Sequence, residues 1–139
     1  MPTNVEIVQA AIEAFERGEI PAILTACTDD VAVVVYGDPS VIPTAGEWQG
    51  KSRVTDYFRA IGDTTEVLRW VPQQYVASGN HVVVLGIMDA RSTATGKTLT
   101  NTHWVIDFTA ENGKITGWQV YVDTAAWEKA FIASSSASP

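Results

Sequence analysis

The order of the predicted elements indicates an α+β fold, in which helices lie on one face of a curved, mostly antiparallel sheet. Apolar residues recur at helical spacing along most of the first half of the 139-residue chain. The second half instead contains four apolar runs of strand length, at about 65–78, 80–93, 98–110 and 114–122. The turn signals SGN, ATGK and ENGK separate these runs, so we expect the strands to pair as a meander.

Three helices and one strand are predicted before the meander. Thr3 and Glu6 fit a capping box, and the first helix then continues to Gly18. A shorter helix is predicted over 19–27, which would place Cys27 on a helix. The β-branched run VAVVVY predicts a strand. After the long loop GDPSVIPTAGEWQG, the segment KSRVTDYFRAIG predicts the third helix.

The C-terminal end is predicted to be a short helix followed by a tail. Asp123 is placed to act as the N-cap of the segment TAAWEKAFI. The low-complexity run SSSASP is expected to be disordered. No internal repeat or linker is visible, so we expect one domain over 1–132 and a disordered tail over 133–139.

The composition argues against several classes of protein. A net charge of −7 with scattered basic residues disfavours nucleic-acid binding. The single cysteine, Cys27, allows no intrachain disulfide. Neither a secretory signal nor an apolar run of about 20 residues is visible, so we expect no membrane partner and a cytoplasmic location.

The predicted strands are apolar on both faces. In the second strand of the meander the two faces carry Val83, Leu85 and Ile87 alternating with Val82, Val84 and Met88. One face can be buried against the helices, but the other would leave a sizeable apolar patch, which usually marks a partner surface. We therefore expect a homodimer through the open face of the sheet.

Two segments carry a resemblance to a known family. The segment GDPSVIPTAGEWQGKSRVTDYF after the first strand and the segment ENGKITGWQVYVDTAAW near the end resemble the SnoaL-like branch of the nuclear transport factor 2-like (NTF2-like) superfamily. The resemblance extends from about residue 4 to residue 132. It implies a cone with an apolar pocket between the curved sheet and the helices. The superfamily includes ketosteroid isomerases, polyketide cyclases, limonene-type epoxide hydrolases, scytalone dehydratase and non-catalytic modules, so the fold does not choose the function.

The catalytic positions of two of these enzyme classes are occupied by apolar residues. Ketosteroid isomerases need a carboxylate base and two donors, and the resemblance places these at Val35, Ala11 and Val105. The carboxylates and arginine of limonene-type epoxide hydrolases fall at Met88, Val120 and Gly86 of this chain. We therefore do not expect the carboxylate-based proton abstraction of ketosteroid isomerases. Epoxide activation of the limonene type would need a one-residue bulge that brings the nearby Asp89 and Arg91 into the pocket. For a SnoaL-type cyclase the nearest carboxylate is Asp123, which we instead expect to be a helix cap.

The best candidates for chemistry lie on the strand TNTHWVIDF. Asn101, His103 and Trp104 resemble an N-x-H-W strand of scytalone dehydratase, although the two further histidines of that enzyme have no counterpart here. Alternation along a strand puts Asn101, His103 and Asp107 on one face, which we expect to face the pocket. His103 is the candidate acid/base. Asn101 would either bind a carbonyl or hydroxyl of the ligand or satisfy backbone groups near the turn, and Asp107, a third candidate, is expected to lie in water at the strand end.

The remainder of the pocket is expected to be apolar, with Trp48 in the long loop as a candidate lid. The predicted lining residues are Val33, Val35, Trp48, Tyr57, Phe58, Met88, Val105, Trp118, Val120 and Val122. Neither a metal nor another cofactor is expected, because the two histidines are far apart and no glycine-rich phosphate loop is visible.

Two hypotheses for function follow, and the sequence does not decide between them. The first is a cofactor-independent isomerase, cyclase or dehydratase, or less readily an epoxide hydrolase, that uses His103 as acid/base. The second is a non-catalytic small-molecule-binding or dimeric assembly module. The ligand or substrate expected for the pocket is a small and mostly apolar molecule.

Overall fold

Four helices and six strands make up the part of the chain described by this computed structural model, residues 2–133. The helices are α1 (Asn4–Glu16), α2 (Ile20–Thr25), α3 (Lys51–Thr64) and α4 (Thr124–Phe131). The strands are β1 (Cys27–Val35), β2 (Gly46–Gln49), β3 (Thr65–Ser78), β4 (His81–Ser92), β5 (Thr98–Glu111) and β6 (Lys114–Val122). The predicted α+β class is confirmed. Of the tail predicted to be disordered, 134–139 lie outside the described residues.

The strands form one mostly antiparallel sheet in the order β2-β1-β6-β5-β4-β3. The meander β3 to β6 is antiparallel throughout, as the turn signals predict. Strand β1 joins the other side of β6 in parallel, and β2 pairs antiparallel with β1. The long loop after β1 therefore contains a short edge strand that the sequence pattern did not predict.

Local signals determine where several helices begin and end. The backbone N–H of Glu6 donates to the Thr3 hydroxyl at 3.1 Å, and the Thr3 N–H donates to the Glu6 carboxylate at 2.9 Å, so the capping box is present. The Asp123 carboxylate accepts from the Ala126 N–H at 3.2 Å and caps α4. Helix α2 ends at Thr25, so the prediction that Cys27 lies on a helix is wrong: Cys27 begins β1 and is buried.

The helices cover one face of the sheet, which we call the inner face. On β5 this face carries Trp104, Ile106 and Phe108, which are buried in the main core with residues of α1 and α3. Their neighbours Val105 and Asp107 are only half-buried, on the outer face. None of the helices within residues 2–133 has the length and apolar character needed to cross a bilayer.

Candidate functional site

An apolar cavity of about 110 Å³ lies between the inner face of the sheet and the helices. Its wall receives side chains from all four helices and from every strand except β2. The helices contribute Ala11, Ile12, Phe15, Ile23, Tyr57, Phe58, Ile61 and Trp127. The sheet contributes chiefly Val35, Val67, Trp70, Met88, Trp104, Ile106, Phe108, Trp118, Val120 and Val122. A curved sheet leaves such a space because its concave face cannot follow the surface of straight helices.

Stacked aromatic rings form one side of the cavity. The indoles of Trp70 and Trp104 are nearly parallel, at 9°, with ring centroids 4.0 Å apart, and Phe15 meets Trp70 edge-on at 5.0 Å. Trp104 can pack this close to β4 because the residue opposite it is Gly86. A Cβ atom there would lie 2.2 Å from Cζ2 of Trp104. The glycine therefore makes room for the aromatic side of the site.

Few polar groups reach the cavity. Four residues of the wall carry a hydroxyl: Tyr57, which is 7% exposed, Thr44, Thr65 and the more exposed Tyr36. Burial raises the pKa of the Tyr57 hydroxyl far above its usual range, so this group stays protonated at neutral pH and can donate a hydrogen bond. Among the described residues, no histidine, carboxylate, lysine, arginine or cysteine lines this cavity. The wall therefore offers donors and apolar contacts but no residue suited to accept a proton near neutral pH.

Most of the predicted apolar lining residues lie on the cavity wall. These are Val35, Tyr57, Phe58, Met88, Trp118, Val120 and Val122. The other three do not contribute to the wall. Val33 is fully buried elsewhere in the core, Val105 lies on the outer face, and Trp48 donates its indole N–H to the Thr44 carbonyl at 3.1 Å.

The prediction that Asn101 and His103 face the pocket is wrong, and Asp107 does not line the cavity either. His103 is exposed and lies in a groove between β5 and α4. Asp107 contacts His81 on the outer face, with Oδ1 2.8 Å from Nδ1. These residues do share a face, but it is the outer one, because burying the large apolar side chains of the opposite face against the helices removes more apolar surface from water.

Asn101 belongs to an exposed polar cluster rather than to the cavity, at a bulge where the register of β5 against β4 shifts between Met88 and Ala90. It has a positive φ of 51°, and its N–H donates to the Asp89 carboxylate at 2.7 Å. The Arg69 guanidinium bonds both the Asn101 side chain and Asp89, the latter at 3.2 Å. The Asn101 N–H, with help from Arg69, holds the pKa of Asp89 below its usual range. This cluster holds three strands together at their irregular ends.

Three tryptophans of the wall, Trp70, Trp104 and Trp127, were not predicted as site residues. The signal that could have identified Trp104 is its alternation with Ile106 and Phe108. Burying these three large side chains removes more apolar surface from water than burying the polar face of the same strand would. Trp70 and Trp127 have no comparable local signal. Within residues 2–133, no group of three or more histidine, cysteine, aspartate or glutamate side chains is arranged to hold a metal ion.

Comparison with known proteins agrees with this architecture. Residues 8–118 match the family of SnoaL-like domains. An NTF2-like protein from Burkholderia xenovorans is 27% identical, with 93% of this chain and 95% of that chain covered and a TM-score of 0.83. An NTF2-like protein of unknown function from Burkholderia pseudomallei is also 27% identical, with 96% and 100% covered and a TM-score of 0.85. No curated protein matches in sequence.

A more distant structure shares the fold. A candidate SnoaL-like polyketide cyclase from Mesorhizobium loti is 22% identical, with 86% of this chain and 99% of that chain covered and a TM-score of 0.73. The family match includes most of α1, all of α3 and most of the sheet, which together provide most of the cavity wall. The chain therefore belongs to the SnoaL-like family, within the NTF2-like superfamily.

Proposed function

We propose that this protein binds a small, mostly apolar molecule in the cavity and does so without acid/base catalysis by the cavity wall. The observation that carries the proposal is the composition of that wall: large apolar and aromatic side chains with a few hydroxyls and indoles. Such composition is typical of sites for apolar ligands. A cofactor-independent isomerase, cyclase or dehydratase would need a proton acceptor at the ligand, and His103 lines the groove beside α4 rather than the cavity.

The volume of the cavity limits the size of the ligand. A closed apolar cavity of about 150 Å³ admits benzene, and the cavity here measures about 110 Å³. A molecule with one ring therefore matches the space, with modest adjustment of the wall. Burial of such a ligand is favourable at about 25 cal/mol for each Å² of apolar surface removed from water.

The test is a binding titration with a small cyclic hydrocarbon, in which binding is measured by calorimetry and by ligand-observed NMR. We expect saturable binding of toluene to the unaltered protein. Ala11→Leu adds three carbon atoms at a wall position on α1 and should weaken binding at least about tenfold, or about 1.4 kcal/mol. His103→Ala, on the outer side of the sheet, is the matched control and should bind as the unaltered protein does. Circular dichroism verifies that both variants fold.

Two results would overturn this function. Absence of saturable binding by toluene and similar one-ring probes would show that the cavity is only a packing defect. Equal binding by Ala11→Leu would place the ligand elsewhere. A loss of binding in His103→Ala, with Ala11→Leu unaffected, would instead direct attention to the groove beside α4.

We also propose that a second copy of the chain covers the outer face of the sheet. Leu85 and Val105 are paired neighbours there, Tyr121 follows on β6, and Val76 on β3 is 45% exposed. A chain of net charge −7 repels its own copies, but Leu85, Val105 and Tyr121 form an uncharged row across three strands of this face, which can approach a second copy by a twofold axis. Sedimentation should give a dimer for the unaltered protein and a monomer for Leu85→Glu. A monomeric unaltered protein would contradict this.

A further inference from the structure

We propose that the cavity favours ligands that present a hydrogen-bond acceptor, such as small cyclic ketones, lactones or quinones. This inference rests on the proposed function and specifies the chemistry of its ligand. The selecting groups are the indole N–H donors of Trp70, Trp104 and Trp127, with the hydroxyl of Tyr57. None of these residues is needed for proton transfer.

Three buried indole nitrogens of the cavity wall have no hydrogen-bond partner among the described residues. They are Nε1 of Trp70, Trp104 and Trp127, and all three side chains line the cavity. Trp104 is 1% exposed and Trp127 is 6% exposed. Buried tryptophan N–H groups are usually bonded, so three unbonded ones around one cavity indicate donors that the fold itself does not satisfy.

The indole N–H of Trp48 provides a contrast. Nε1 of Trp48 donates to the Thr44 carbonyl at 3.1 Å, and Trp48 does not contribute to the cavity wall. The fold thus supplies an acceptor for this indole, whereas three of the four indoles that line the cavity, those of Trp70, Trp104 and Trp127, lack one. Leaving a buried donor unpaired is costly, and a ligand oxygen that accepted one of these bonds would remove that cost.

The polarity of the wall determines which ligands fit. An indole N–H can only donate, and burial keeps the Tyr57 hydroxyl protonated. Since no carboxylate or histidine of the described residues lines the cavity, an amine or ammonium ligand would find no charged acceptor. A carbonyl oxygen meets donors, whereas a hydrocarbon of the same shape leaves them unpaired.

The unbonded nitrogens are themselves buried and are not exposed on the surface of the cavity. A ligand oxygen can therefore reach them only if the indole rings shift around it. Trp127 lies on α4, a helix of eight residues at the edge of the cavity, and Trp70 and Trp104 are stacked face to face. Binding should consequently be visible at the indole N–H groups themselves.

The experiment compares cyclohexanone with methylenecyclohexane, in which CH₂ replaces the carbonyl oxygen on the same ring. Affinities are measured by calorimetry, and the five indole N–H resonances are followed in ¹⁵N-tryptophan-labelled protein. These resonances are assigned and followed in the unaltered protein, so the experiment does not need tryptophan variants, which could fail to fold. We expect cyclohexanone to bind about tenfold more tightly or better, as one hydrogen bond permits. It should move at least one resonance of Trp70, Trp104 or Trp127 downfield while that of Trp48 stays in place.

The other outcomes show whether this inference fails alone or together with the proposed function. Equal affinities for the two probes would overturn the acceptor selection and leave the cavity as a site for apolar ligands. Tighter ketone binding without movement of any of the three resonances would overturn the assignment of the indoles as donors. Tighter binding of cyclohexylammonium than of cyclohexanone would mean that the aromatic faces select cations instead. Failure of every probe to bind would overturn both proposals.

Tyr57→Phe, which removes only the hydroxyl, separates the two kinds of donor. If the indoles select the ligand, this variant keeps a preference for cyclohexanone and the downfield indole shift. If the preference vanishes in Tyr57→Phe, the hydroxyl alone is responsible, and the tryptophans do not select the ligand. The thermal unfolding curve of this variant, measured beside that of the unaltered protein, verifies that it folds.

Discussion

Gly86 lies where the indole of Trp104 rests against strand β4, and its replacement by alanine tests how the aromatic side of the cavity is built. The new methyl group would lie 2.2 Å from Cζ2 and 2.5 Å from Cε2 of Trp104, and 2.5 Å from the carbonyl oxygen of Val71. Atoms of this kind normally stay about 3.5–4.0 Å apart. The indole would have to move by more than about 1 Å, and Trp70, stacked on it at 4.0 Å, would have to move as well.

The expected loss of stability follows from these contacts. Overpacking of a well-filled core costs about 1–3 kcal/mol, and disturbing a stacked aromatic pair adds about 0.5–1.5 kcal/mol. The close approach to the backbone oxygen of Val71 cannot be relieved by a side-chain rotation. We therefore expect Gly86→Ala to lower the free energy of unfolding by about 2–4 kcal/mol.

Gly62→Ala is the matched control, because it makes the same chemical change on α3. Gly62 is exposed and helical, and an added Cβ would meet no atom within 4 Å. Replacing a helical glycine by alanine should stabilise the protein by about 0.5–1 kcal/mol. Urea denaturation followed by far-UV circular dichroism, at one protein concentration, measures both variants. Gly86→Ala within about 0.5 kcal/mol of the unaltered protein would refute the proposed packing of Trp104.

Three further predictions test single groups. The Asn101 N–H lowers the pKa of Asp89 in the folded protein. The ionised Asp89 carboxylate therefore stabilises the fold above its unfolded pKa of about 3.9, and this stabilisation is lost as the pH falls through the folded pKa. The difference in urea-denaturation stability between the unaltered protein and Asp89→Asn should therefore be largest near neutral pH and shrink below about pH 4; a pH-independent difference would contradict this. Asp123→Ala should cost about 1 kcal/mol in the same assay, since the bond from Ala126 that caps α4 is lost; unchanged stability would mean that the cap contributes nothing. Burial raises the pKa of the Cys27 thiol to about 11. A thiol reagent at pH 8 should therefore modify the folded protein on the order of a hundredfold more slowly than the urea-unfolded chain. Equal rates would show that Cys27 is accessible.

Much of the fold could be predicted from local patterns. The capping box at Thr3, the helix cap at Asp123 and the turn signals between the strands depend on neighbours within a few residues, so the sequence states them directly. The strand β2 and the parallel pairing of β1 with β6 were not predicted. Both depend on which distant segment lies beside β1, and no local pattern encodes that choice.

The sequence predicted most of the apolar residues that line the cavity, but it did not predict which polar groups reach it. Valine, methionine and aromatic residues at the expected positions line the cavity, because apolar side chains of the helices and the sheet must be buried together. Alternation along β5 correctly grouped His103 with Val105 and Asp107, but this group lies on the outer face. Alternation states which residues share a face and not which face is covered, so the choice between the two faces was where the prediction failed.

The sequence by itself determined the α+β class, the limits of most helices and strands, and the apolar character of the space between them. Each of these follows from hydrophobic periodicity or from a short-range hydrogen bond. Only the tertiary structure decided which side of β5 faces the cavity and that Trp70, Trp104 and Trp127 meet there with unbonded nitrogens. Whether a buried donor finds an acceptor depends on atoms contributed by residues far apart in the chain, and that information exists only once the chain is folded.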